Sequence, residues 1–210
     1  MLEILQKGGV LIVILCLASI ISLTVFFERL WSLSLRRVAP PKFAAKILEL
    51  IKNGDYQAAI LLSEENRTPL ARILALAAKK AQEGALADLE THLEEKGRQE
   101  ISAMSRDLEA ISAVATVSPL LGLLGTVFGM IKVFQRIEIM GVGDPTVLAN
   151  GIWEALITTA AGLVVAIPSF LCHKFLAVRV NKLALSIEGY MRQAIDLIKY
   201  NDKNNNAALK

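Results

Sequence analysis

Cysteine is scarce in this chain, with only Cys16 and Cys172 in 210 residues, too few for the disulfide framework of a small secreted fold. Histidine is equally sparse. His92 and His173 stand in no metal-ligand spacing, so both read as surface residues and no metal is expected. A surplus of one charge is lacking too: 23 Lys and Arg face 20 Asp and Glu, which leaves no basic field for phosphates and argues against a nucleic-acid partner. There is no Gly-X-Y period, no repeat of solenoid length and no nucleophile motif, so collagen-like and enzymatic readings fall away and the chain is expected not to be an enzyme. What abounds is apolar surface. The apolar share is 54%, above the ~45–50% of ordinary domains, which already counts glycine, and the mean hydropathy is +0.48. That is the composition of a membrane protein and not of a disordered chain.

Three stretches are long enough to cross a hydrocarbon core of ~30 Å, which takes ~20 helical residues. The first, 8–27, reads GGVLIVILCLASIISLTVFF between Lys7 and Glu28. It is longer than a signal-peptide core of ~7–15 residues and has no small-residue cleavage pattern before Glu28, so it is expected to remain as an anchor. The second span is 110–134, and the third is 149–172, interrupted by Glu154 alone. Arg29, Arg36, Arg37, Lys42 and Lys46 follow span one, Arg98 and Arg106 precede span two, and Lys174, Arg179 and Lys182 follow span three. Only Lys7, Lys132 and Arg136 fall on the other side. Because cytoplasmic flanks retain Lys and Arg, the N-terminus is expected outside and the C-terminus in the cytoplasm.

The fold class expected is an all-α integral membrane protein with three transmembrane helices, two of them extended far into the cytoplasm, and a helical cytoplasmic insert at 28–109. A short outer loop is expected at 135–148, a cytoplasmic helix extension at 173–200 and a disordered tail, rich in Asn and Lys, at 201–210. Within the insert, Phe43, Ile47 and Ile51 share a face before Asn53-Gly54, Asp55 is placed to cap a helix, and Thr68-Pro69 starts another with Leu70, Ile73, Leu74 and Ala77 in register. From Ala85 an apolar stripe through Leu89, Leu93, Gly97, Ile101, Met104, Leu108 and Ile111 predicts one unbroken helix to Phe134, ~75 Å long. The stripe of span three continues through Leu176, Val180, Leu183, Ile187, Met191, Ala194 and Ile198.

Glu154 is the residue to explain, because a carboxylate inside a spanning segment is costly and usually faces a bundle interior or an aqueous cavity, the plainer alternative being a position near the outer interface where water reaches it. Thr126 lies ~24 Å beyond Ala110, which places it in the outer half of an antiparallel neighbour, close to the level of Glu154. Thr158, four residues from Glu154, falls on the same helix face, whereas Thr159 is turned by about 140°. For each Thr the plainer role is back-bonding to the preceding turn or tight packing. Gly122, Gly125 and Gly129 line one side of span two at the spacing that lets helices approach closely, a packing role. LLGLLGTVFGM is no phosphate loop, since no Lys-Ser/Thr follows it. Pro119 and Pro168 would bend spans two and three.

The segments SPLLGLLGTVFGMI at 118–131 and GIWEALITTAAGLVVAIPSF at 151–170 resemble the paired core motifs of the ExbB/TolQ branch of the MotA/TolQ/ExbB proton-channel proteins. The resemblance implies a pore-forming, stator-like subunit of a motor driven by the protonmotive force in the bacterial inner membrane. It implies a homopentamer around a dimer of an ExbD- or TolR-like single-span partner, with force passed on through a TonB- or TolA-like periplasm-spanning protein. On this pattern Glu154 matches the pore glutamate, Thr126 the pore threonine of the second helix and Thr159 that of the third. Thr158 stands where many members have a small apolar residue, so which of the two Thr side chains assists Glu154 stays open. No cofactor is implied beyond the coupling ion, a proton by resemblance, with sodium left open by the carboxylate and hydroxyls. A passive oligomeric scaffold and a multi-subunit solute transporter are the competing readings.

Overall fold

Uninterrupted apolar sequence without glycine or proline breaks favours helix, and α1 accordingly runs Gly9–Ser32. The computed structural model describes residues 9–140 and 145–208, and among these every extended element is an α-helix. Following α1 come α2 (Leu35–Val38), α3 (Pro41–Lys52), α4 (Tyr56–Glu65), α5 (Pro69–Gln82), α6 (Leu89–Ser105), α7 (Leu108–Met140) and α8 (Pro145–Ala208). Three of them, α1, α7 and α8, contain stretches long and apolar enough to cross a membrane, which makes this an all-α, multi-pass membrane protein. The chain divides into two compact units, one formed by residues through Glu28 with Asp107–Leu176, the other by Arg29–Arg106 with the residues from Ala177 onward.

In the first unit Ser22, Ser118, Thr158 and Ser169 are buried, while much of the apolar surface faces outward. Ser22 of α1 is buried and donates to the Ser169 hydroxyl of α8 at 2.9 Å, which in turn donates to the Val165 carbonyl. Phe26 and Phe175 extend the same contact, with ring centroids 6.4 Å apart. Leu120, Leu123, Trp153, Leu156, Val164 and Leu171 are all exposed, the pattern of a bundle whose solvent is lipid or a neighbouring subunit. α7 passes through Pro119 and α8 through Pro168 without interruption. Each proline removes the helical hydrogen bond to the carbonyl four residues back.

The second unit is built on amphipathic helices with well-defined starts. Asp55 caps α4 by accepting from the Ala58 N–H, and Thr68 caps α5 by accepting from the Ala71 N–H, with Pro69 at the first helical position. Ile47 and Ile51 of α3, Ala59 of α4, and Leu70, Ile73, Leu74 and Ala77 of α5 are fully buried. Leu183, Ile187, Met191, Ala194 and Ile198 form the buried stripe of the distal part of α8. Between α5 and α6, Arg72 clamps Glu100 with two donors, one of them Nε at 2.8 Å, and Lys96 approaches the same carboxylate at 3.3 Å.

Three boundaries depart from the sequence expectation. The helix expected from Ala85 to Phe134 is broken: Gly84 takes φ +69°, α6 starts only at Leu89, and residues 106–107 form a turn before α7. Just before that turn the Ser105 hydroxyl donates to the Ile101 carbonyl, a local bond that competes with the helical ladder. The loop expected at 135–148 is largely helical, since α7 continues to Met140 and α8 opens on Pro145, a favoured first helical residue; residues 141–144 lie outside the described residues, as does Lys7. Finally, the tail expected to be disordered from 201 is helical to Ala208, and Asn201 donates to the Ile51 carbonyl at 2.7 Å.

Candidate functional site

Small residues bring α7 and α8 together. A Cβ on Gly129 would stand 2.7 Å from the Ala155 Cβ, one on Gly125 would collide with the Thr158 side chain, and one on Gly122 would meet the backbone of Thr158 and Thr159 at 3.0 Å. From the other side, a Cβ on Gly162 would reach the Ser118 carbonyl at 2.5 Å, and one on Gly151 would overlap Val133. As numbers rise on one helix they fall on the other, so the pair is antiparallel. Glycine is needed at these positions because any side chain would wedge the backbones apart.

The hydroxyls are placed by this seam. Thr158 is buried against Gly125 and donates to the Ala155 carbonyl at 2.7 Å. Thr159, half-buried, donates across the seam to the Gly122 carbonyl at 2.9 Å. Thr126 donates to the Leu123 carbonyl of its own helix at 2.6 Å. All three hydroxyl protons therefore go to backbone carbonyls, and none of the three is directed to Glu154. Because Gly125 lies against Thr158, Thr126 is level with Ile157, about one turn from Glu154.

Glu154 stands at the edge of the seam, beside the Gly129–Ala155 contact. Its side chain is 35% exposed, and its Oε1 lies 3.5 Å from the Nζ of Lys132 on α7. Sequence reasoning treats Lys132 only as a flanking charge and misses this pairing. The antiparallel register is the signal that finds it: once Gly129 is set against Ala155, Lys132 comes within reach of Glu154. Gly151 and Gly162 are missed for the same reason, since their partners are legible only when the two helices are aligned.

Pro119 follows Ser118, whose carbonyl meets Gly162, and Pro168 precedes Ser169, which bonds Ser22. Both prolines thus adjoin close helix contacts. Among the described residues no group of three or more His, Cys, Asp or Glu side chains is placed to hold a metal ion. The site offers one carboxylate, one ammonium and three hydroxyls on two apolar helices, an inventory suited to moving a charge within a membrane.

Residues 65–189, more than half of the chain, match the model of the MotA/TolQ/ExbB proton channel family. A biopolymer transport protein of Synechocystis, ExbB-like 1, is 34% identical over 173 residues, covering 81% of this chain and 68% of its own length. An ExbB homologue of Methanothermobacter thermautotrophicus is 28% identical over 181 residues, covering 86% of this chain and 64% of that protein. The Tol-Pal system protein TolQ of Haemophilus influenzae is 39% identical over 83 residues, 40% of this chain and 36% of TolQ. With a family model spanning both core helices and relatives of both kinds, the chain belongs to the ExbB/TolQ branch of the MotA/TolQ/ExbB proton channel family.

Proposed function

We propose that this protein is the pore-forming, stator-like subunit of an inner-membrane motor driven by the protonmotive force. It works as a homopentamer around a dimer of a single-span ExbD- or TolR-like partner, and force leaves through a TonB- or TolA-like protein that spans the periplasm. The N-terminus is periplasmic, the C-terminus cytoplasmic, and the coupling ion is the proton. The observation that carries this reading is Glu154: a half-exposed carboxylate on an apolar helix, at the edge of a glycine-built seam, in a chain of a proton-channel family.

The physical requirement is modest. A potential of 100 mV supplies ~2.3 kcal/mol per unit charge, and using it takes a group in the membrane that changes charge and a partner that feels the change. A carboxylate on the partner helix carries the proton, and Glu154 with Thr126, Thr158 and Thr159 shapes its polar surroundings. No covalent chemistry is involved, so the protein is not an enzyme.

Substitution at position 154 tests the reading. Glu154→Gln and Glu154→Ala are expected to abolish gradient-dependent function in cells while the protein still accumulates in the membrane. Full function in both variants would favour a passive scaffold, which tolerates any residue there. Purification from native membranes in mild detergent, with native mass spectrometry, is expected to give a pentamer carrying small single-span companions.

A further inference from the structure

A groove of the second unit, formed by α4, α5 and α6, holds more positive charge than its carboxylates answer. Its α5 wall is Arg72, Ala75, Leu76 and Lys79, spaced to share one helix face ~10 Å long. Arg67, in the turn after α4, and Lys96 of α6 add two cations, and Ser63 of α4 belongs to the same lining. We propose that this groove binds a phosphate monoester: Arg67, Lys79, Lys96 and the Ser63 hydroxyl hold the phosphate, and the organic body lies on Ala75 and Leu76. The site is independent of Glu154 and of the proposed motor.

Charge is the first support. Four cations meet two carboxylates, Glu64 and Glu100. Glu100 is shared, since Arg72 donates to it through two nitrogens and Lys96 lies 3.3 Å away. Glu64 accepts from Lys79 at 2.8 Å, but both side chains are about half exposed, and so exposed a pair is weak. Arg67 forms no ion pair among the described residues; its backbone carbonyl accepts from Arg72. Ser63 is the second support. It is 3% exposed, and its Oγ is buried without a hydrogen-bond partner. Folded proteins leave few such groups unsatisfied, and a hydroxyl turns its hydrogen toward whatever acceptor arrives. A phosphate monoester brings nearly two negative charges and three acceptor oxygens, enough for a guanidinium, an ammonium and a hydroxyl together, where a carboxylate has one charge and two oxygens. Size is the third. The cavity measures about 630 Å³, within the ~300–1,000 Å³ of small-molecule sites, and its wall between Arg72 and Lys79 is apolar.

The test uses the full-length protein in mild detergent at about 0.15 M salt, where exposed charges beyond ~8 Å are screened. Phenyl phosphate is the probe and calorimetric titration the readout. Phenyl phosphate is expected to bind, and inorganic phosphate to bind severalfold more weakly because it has no body to bury. Arg67→Gln and Lys79→Gln should each weaken the probe about tenfold, the loss of one charge-assisted hydrogen bond, and Ser63→Ala severalfold. Without ligand, Ser63→Ala should unfold no earlier than the unmodified protein, since it removes a hydroxyl that has no partner; lost binding is thereby separated from lost fold. Arg98→Gln changes an exposed cation of α6 that lines a different groove, toward α8, and should bind as the unmodified protein does. Absence of phenyl phosphate binding would overturn the proposal. Unchanged binding in Arg67→Gln and Ser63→Ala would do the same, as would an equal loss in Arg98→Gln, which would reduce the effect to general surface charge.

Two sources share this chemistry, a soluble phosphate ester and the headgroup of phosphatidic acid. With the protein in phosphatidylcholine vesicles, competition by added phosphatidic acid that is lost in Arg67→Gln assigns the headgroup, and undiminished binding of phenyl phosphate assigns a soluble ester. Hydrogen exchange with the bound probe should show added protection in α4, α5 and α6. Protection confined to other helices would place the ligand outside this groove and overturn the assignment.

Discussion

Gly129 and Ala155 show how finely the site is held at the scale of single residues. The Cβ of an alanine at 129 would stand 2.7 Å from the Ala155 Cβ, closer than two methyl carbons approach. Gly129→Ala is therefore expected to destabilise the α7–α8 pair by about 1–3 kcal/mol, the usual cost of overpacking. Combining it with Ala155→Gly moves the methyl from one helix to the other and should recover most of the loss, a coupling that thermal unfolding of the detergent-solubilised protein would measure. Glu154 and the three glycines of α7 were legible in the sequence because a lone carboxylate and a small-residue spacing stand out against apolar neighbours. Lys132 was not, because its importance lies in a partner on another helix. Likewise, the different settings of Thr158 and Thr159 come from the register, which buries the first against Gly125 and turns the second to the Gly122 carbonyl.

Among the elements, the contact between α5 and α6 carries a buried charge with a definite pH response. Burial pushes the Glu100 carboxyl up, but the Arg72 guanidinium and the Lys96 ammonium outweigh it and hold the group below the usual carboxylate range. A carboxyl depressed in the folded state contributes stability that is present above its unfolded value and lost as pH falls through the folded one. Glu100→Gln should thus weaken the α5–α6 contact at neutral pH by about 1–2 kcal/mol, a figure reduced because Arg72 is half exposed. The variant's stability should also be flatter than that of the unmodified protein below the carboxylate range. Hydrogen exchange of α5 and α6 amides, corrected for intrinsic rates, would read both effects in the full-length chain. The existence of α3, α4 and α5 was readable from caps and apolar spacing. The break between α6 and α7 was not, because the apolar stripe from Ile101 to Ile111 runs across it, and only a Ser105 hydroxyl and the turn after it interrupt the ladder. The helical end of α8 escaped the sequence for a related reason, since Asn201 finds its partner 150 residues away at Ile51.

On the scale of the whole molecule, composition and periodicity were enough to give an all-helical membrane protein with three candidate spans, because the bilayer imposes one length and one polarity on every crossing. Orientation depends on a subtler imbalance, the concentration of Lys and Arg around 29–46, 98–106 and 174–182 against the isolated Lys132 and Arg136 near the end of α7. The proposed topology places Ile139, near the end of α7 and strongly exposed, outside the membrane, and Asn204, near the end of α8 and exposed, in the cytoplasm. Replacing Cys16 and Cys172 by Ser gives a background in which a single cysteine reports its own side. Ile139→Cys should then react with a membrane-impermeant maleimide once the outer membrane is opened, whereas Asn204→Cys should react only after the inner membrane is lysed. The reverse pattern would invert the protein in the membrane. Glu154 and Lys132 would then stand at the cytoplasmic end of their helices, and the direction in which protons enter the seam would have to be reassigned.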